Sequence, residues 1–211
     1  MPASPGLSVR TTEIDDADPL LRLLPADGAV TWLRRDEGLV GWGVAAEIRP
    51  RGLTRFTDAD KWWTETVARA EISDDVNEPG SGLVCFGSFA FADDPGDSVL
   101  TIPRVVVGRR AGRTWLTLVD GATYDSNGEA AAAPEGVVFS DGAMDGEHWM
   151  AVVAEGVRRI SAGALGKVVL ARDLIATAAA KIDVRWPLTR LADNYPMCWT
   201  FHVDGLVCDT P

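Results

Sequence analysis

The tightest constraint on the fold is the order in which two periodicities follow one another along the chain. Short runs rich in valine, isoleucine, threonine and aromatics come first, closely spaced and separated by turn residues. Ala29 to Arg34 and Leu39 to Ile48 flank a turn at Asp36-Glu37-Gly38, which predicts a hairpin. Gly80 to Ala92 reads as a buried strand, Asp93 to Asp97 as a turn, and Val99 to Gly108 and Arg113 to Val119 as two strands around Arg109-Arg110-Ala111-Gly112. Between them, Thr57-Asp58-Ala59-Asp60 starts a helix that runs to about Ile72.

A second group of elements follows. Asp145 can cap a helix whose apolar residues are Trp149, Val152, Val153, Val157 and Ile160, closed by Gly163 and Gly166. Lys167 to Thr177 then reads as a buried strand, Val184 to Asn194 as a short helix, Met197 to Val203 as an alternating strand, and Leu206 as the start of another. Hairpins punctuated by separate helices, without regular βαβ alternation, predict an α+β fold: a mostly antiparallel sheet with helices packed on its outside. Residues 1–12 read as a flexible lead-in, 13–211 as one domain, and 121–136, with Asn127-Gly128 and four consecutive alanines, as a disordered loop. No internal repeat or heptad is present. Gly41 and Gly43, flanking Trp42, indicate close backbone approach rather than a phosphate loop.

Composition excludes several functions. The 211 residues are 46% apolar and 24% charged, enough for a sizeable core. The formal net charge of −11 disfavours a polyanion-binding surface, so no nucleic-acid partner is expected. No apolar run is long enough to span a membrane, and Met1 to Gly6 lacks the features of a secretion signal, so the expected location is the cytoplasm. Cys85, Cys198 and Cys208 lack CxxC spacing, and Cys85 and Cys198 read as small buried apolar residues. His148 and His202 are too far apart to suggest a metal cluster; His148 reads as a surface or capping residue and His202 as a core histidine. Asp15-Asp16, Asp58/Asp60 and Asp93-Asp94 read as turns, caps and solvated faces, without calcium-loop spacing. The eight tryptophans are scattered, which favours core packing over a stacking platform.

Lys61, Lys167 and Lys181 are the only lysines. Lys167 precedes Val168-Val169-Leu170-Ala171-Arg172, and partial burial there lowers a lysine pKa because the ammonium loses hydration. Such a lysine near a second cation can act as a general base. Strand alternation puts Lys167 and Arg172 on opposite faces, which leaves a purely structural role for Arg172 open. On the residues alone, a solvated lysine at a strand edge is the stronger reading.

The stretch from Trp149 to Arg172, with Ile160-Ser161-Ala162-Gly163 and Lys167-Val168-Val169-Leu170-Ala171-Arg172, resembles the chorismate-utilising enzymes, and within them the isochorismate synthase branch. Tyr195 to Val203 resembles that family's next strand. Leu206-Val207-Cys208-Asp209-Thr210-Pro211 resembles the start of its Gly-Ala-Ser/Thr-Pro-Glu motif, with Cys208-Asp209 in place of Gly-Ala. The resemblance covers Ala29 to Pro211 and is sharpest from Trp149 onward. It implies that Lys167 is the base that activates water. Anthranilate-synthase-like members carry glutamine at that place and often a tryptophan-inhibition motif near the N-terminus, and neither is seen in this sequence. Salicylate synthases share the lysine and are the alternative.

The implied reaction adds water at ring C2 of chorismate with loss of the C4 hydroxyl, feeding menaquinone or siderophore synthesis. A glutamic acid opposite the base protonates the leaving hydroxyl, and magnesium (Mg2+) is held by glutamates. In the family the acid follows the Ser/Thr-Pro pair, whereas this sequence stops at Pro211. The acid, the metal ligands and the carboxylate clamps are therefore expected in a C-terminal remainder of the same protein. The 211 residues alone are expected to be inactive; the alternative outside the enzymes is a non-catalytic fragment or interaction module that keeps the first half of the fold.

Overall fold

The structure, a computed structural model, describes residues 6–15, 18–94, 97–124 and 130–210. The expectations for residues 1–5, Asp16, Pro95-Gly96, Asn127-Gly128 and Pro211 lie outside the described residues. In chain order the elements are β1 (Ser8–Ile14), β2 (Ala29–Arg34), β3 (Glu37–Trp42), β4 (Ala46–Ile48), α1 (Arg55–Arg69), β5 (Glu71–Asp74), β6 (Phe86–Ser88), β7 (Val99–Ile102), β8 (Val105–Arg110), β9 (Arg113–Val119), β10 (Val138–Asp141), α2 (Gly146–Ser161), β11 (Leu174–Thr177), α3 (Arg185–Asn194), β12 (Trp199–Val203) and β13 (Leu206–Thr210). The α+β class and the mostly antiparallel sheet are as expected. Two compact units are present where one domain was read: a large one, Met1–Ala132 with Asp183–Pro211, and a small one, Ala133–Ile182.

The large unit is built on an eight-stranded sheet in the order β13-β12-β2-β3-β8-β9-β1-β5. Every pair in it is antiparallel except β1 with β5. One face carries Leu33, Val40 and Val107, covered by a short 3-10 helix at Leu20–Leu23 and by Leu188 of α3. The other carries Val30, Phe201 and Val203, packed against Phe86 and Val99 of a three-stranded sheet, β4-β7-β6. Each apolar side chain so enclosed contributes about 1.5–3 kcal/mol of transfer free energy.

Several expected boundaries move, each for a local reason. Residues 8–12, read as lead-in, belong to β1, which lies between β5 and β9. The hairpin turn is Arg35-Asp36, with φ of 55° and 58°, the pairing that a two-residue type I′ turn requires. Gly38 serves something else: a Cβ there would lie 2.2 Å from the Trp32 carbonyl oxygen. The two long strands expected at 39–48 and 99–108 each break and pass from one sheet to the other. β3 ends before Gly43, at φ 69°, and β7 before Pro103, which has no N–H for a ladder. The crossing strands stay paired at the corner, where the Ala45 N–H donates to Ile102 O (2.8 Å) and the Arg104 N–H to Trp42 O (3.1 Å). Only Phe86–Ser88 of the expected strand 80–92 is extended, since Gly80 and Gly82 turn the chain at positive φ. The first helix stops at Arg69, and Ile72 falls in β5.

Among the described residues no helix is long and apolar enough to cross a membrane.

Candidate functional site

Lys167 lies in the small unit, and the sequence between Gly136 and Ala179 shows how that unit holds it. β10 and β11 pair antiparallel, from Val138 opposite Thr177 to Asp141 opposite Leu174. α2 starts at the expected cap: the Asp145 carboxylate accepts the His148 N–H at 2.8 Å. His148 is an exposed first-turn residue, as read from the sequence. Arg158 and Arg159 occupy the last turn, favourable against the helix dipole, and both donate to Glu155 at 2.7 Å. Those two guanidiniums hold the Glu155 carboxyl down at about 2. Gly163, at φ 70°, closes the helix, its N–H donating to Ile160 O at 3.0 Å.

The run from Lys167 to Asp173 is not the strand expected. β11 begins only at Leu174, because β10 offers four residues and no strand lies beside 167–173 among the described residues. The run is fixed by side chains instead. Gly156 leaves room for it: a Cβ there would stand 3.3 Å from Val168 Cγ1 and 3.6 Å from Leu170 Cδ1. Arg172 pairs with Asp141 at 3.2 Å, which gives that arginine the structural role left open by the sequence. The Asp173 carboxylate accepts the Ala143 N–H at 3.0 Å and fills the space of a side chain on Gly142, where a Cβ would be 2.0 Å from Asp173 Oδ2.

Lys167 sits one residue before this fixed run. It is exposed and makes no hydrogen bond or ion pair with the described residues, and Val169 beside it is 79% exposed. Lys167 is thus solvated, the stronger reading of its residues, and the partial burial weighed against it is absent. What the small unit supplies is an accessible lysine side chain next to a segment fixed from Val168 to Asp173. The lock through Asp141, Gly142 and Asp173 escaped the sequence reading, because residues thirty positions apart carry no spacing signal.

The second motif segment belongs to the large unit. His202 on β12 is 6% exposed, as expected of a core histidine, with Thr31 of β2 directly opposite. Its Nε2 accepts the Gly205 N–H at 3.3 Å, and burial pushes its pKa down. Thr31 Oγ1 has no hydrogen-bond partner among the described residues. Cys85, Cys198 and Cys208 are half-buried, and burial raises the Cys85 thiol to about 12, so it behaves as an apolar group. The tryptophans depart from the core reading: Trp115 is buried, but Trp32 is 44% exposed and stacks with Trp199 at 5.5 Å.

Among the described residues no three His, Cys, Asp or Glu side chains gather as a metal-binding group.

A family model described as chorismate binding enzyme matches residues 4–206, nearly the whole chain. The chain belongs to the chorismate-binding enzymes. Its fold is similar to that of a solved Escherichia coli protein, MenF, described as the menaquinone-specific isochorismate synthase, with a TM-score of 0.58 and 18% identity. The match covers 99% of this chain and 51% of that one, so this member of the family spans about half the length of the solved protein. A comparison with curated proteins found no match.

Proposed function

We propose that the whole protein is an isochorismate synthase with Lys167 as its general base, feeding menaquinone or siderophore synthesis. The observation that carries this reading is a lysine in a chorismate-binding enzyme standing exposed at the end of a segment fixed by Gly156, Arg172 and Asp173. A base must be reachable by its water, and the exposure of Lys167 beside a fixed segment supports that role. Lys167 Nζ takes a proton from water as the oxygen adds at C2 of chorismate. The ring double bond shifts and the C4 hydroxyl leaves as water, its proton supplied by an acid outside the described residues. Magnesium dependence of the whole protein is part of the reading, with its ligands likewise outside them.

The test is chromatography of the products after the whole protein is incubated with chorismate and Mg2+. Isochorismate should accumulate without salicylate. Salicylate in its place would move the protein to the salicylate synthases, and no turnover would leave a non-catalytic chorismate-binding module. Lys167→Ala and Lys167→Gln should each slow chorismate consumption more than tenfold, about 1.4 kcal/mol or more of barrier. Survival within tenfold would remove Lys167 from the role.

A further inference from the structure

The large unit contains a cleft that nothing in the proposed reaction uses. Its construction follows from strand register. Trp32 on β2 lies opposite Leu39 on β3, Leu39 opposite Gly108 on β8, and Gly108 opposite Trp115 on β9, so these four positions share one face of the sheet. Gly108 has no side chain to raise the floor there. The Trp115 indole occupies its place, since a Cβ on Gly108 would lie 2.2 Å from Trp115 Cε2. The indole N–H donates to Gly80 O at 3.3 Å, and the absence of a side chain on Gly80 lets that loop close on Leu39. The result is a hollow of about 680 Å³ floored by Leu39 and Trp115 and walled by the indoles of Trp32 and Trp199. That volume suits a small organic molecule.

Its rim is basic in a chain whose net charge is −11. Arg34, Arg35, Arg109 and Arg110 all line the cleft. Arg109 is committed, bonded to Asp36 and to the Asp18 carbonyl. The other three have no carboxylate partner among the described residues. Arg34 lies over the Trp199 ring at 4.8 Å from its centroid, and Arg35 points a nitrogen at the Met197 sulfur. The single carboxylate in the lining, Glu37, accepts the Ala111 N–H at 2.9 Å. Of the other arginines in the unit, Arg49 is paired with Glu47 and Asp204, Arg113 with Glu13 and Glu78, and Arg185 with Asp183, while Arg10, Arg22, Arg104 and Arg190 have no ion pair among the described residues but do not gather in one cleft. Three guanidiniums without an ion pair, outnumbering the one carboxylate of Glu37 and standing beside two indole walls, match a flat molecule carrying more than one negative charge. Guanidinium forks pair with carboxylate or phosphate oxygens, and indole faces take a planar ring.

We propose that this cleft binds a small planar dianion, a ring bearing two acidic groups. The site does not depend on the assignment of Lys167, which belongs to the small unit. The experiment is titration of the protein with isophthalate, benzoate and adenosine monophosphate, followed by tryptophan fluorescence and calorimetry at low and high salt. Saturable binding of a dianion, at least tenfold tighter than benzoate and weakened by salt, is expected. Tighter isophthalate marks an aromatic dicarboxylate as the natural class, and tighter adenosine monophosphate a nucleoside phosphate. Arg34→Gln with Arg110→Gln should weaken the dianion at least tenfold, while Lys167→Ala should leave it unchanged. Because both arginines are exposed, circular dichroism should show the double variant folded. Absence of saturable binding, equal affinity for benzoate and isophthalate, or indifference to the arginine substitutions would overturn the proposal.

Discussion

At the scale of single residues, solvent exposure decides what each group can do. Lys167 and His202 both lie in the motif segments, yet one is open to water and the other enclosed. For Lys167 the consequence is access, tested by the turnover of its variants. For His202 it is a pH dependence of stability. Burial favours the neutral imidazole, so the folded pKa lies below the unfolded value of about 6.5. The folded state then binds fewer protons than the unfolded state, and stability is complete above about pH 6.5 and declines as the pH falls below it. Thermal melts between about pH 5 and 8 should show this decline, and His202→Gln should flatten it in that range; an unchanged slope would count against the assignment. Arg185 is the corresponding case for an ion pair. It is 4% exposed, bonded to Asp183 and to the Leu24 carbonyl, and it ties α3 to the end of the 3-10 helix at Leu20–Leu23. Arg185→Leu leaves the Asp183 carboxylate without its counter-charge and should cost about 3–5 kcal/mol, read from denaturant melts.

At the scale of elements, glycines and caps place the strands and helices more than propensity does. Gly108 is a strand residue whose missing side chain houses an indole, so Gly108→Ala forces Trp115 out of position. The expected loss is roughly 1–3 kcal/mol together with a shifted Trp115 emission, and unchanged melting and emission would contradict the packing described. α2 depends on Asp145 at its start, and Asp145→Ala should cost about 1 kcal/mol of helix stability, measured by circular dichroism of the variant. The element that sequence reasoning misjudged most was the run at 167–177. Its β-branched residues favour extension, but a strand exists only where a neighbour supplies hydrogen-bond partners, and β10 reaches only Leu174–Thr177. The strands around 43 and 103 were judged correctly as extended and wrongly as continuous. Gly43 and Pro103 were visible, but that they meet at one corner between two sheets was not.

At the scale of the molecule, the two units differ in how much they enclose. The large unit buries both faces of its sheet, while Gly156 is the one buried position among residues 133–182. Hydrogen exchange followed by mass spectrometry should therefore find β8 and β9 slowest and β10 and β11 fast. Equal protection of both would mean that the small unit is better shielded than its exposures indicate. The sequence by itself determined the class of the fold, the extent of α2 and α3, the β12–β13 hairpin and the motif that marks a chorismate-binding enzyme. These rest on local chemistry, on side-chain period, caps and turns, which neighbours in the chain supply. Tertiary structure alone decided that Arg172 and Asp173 lock the run beside Lys167, and that Trp32, Trp199 and three arginines without an ion pair share one cleft. Each of those depends on residues far apart in the chain, and only the register of paired strands and the packing of α2 bring them together.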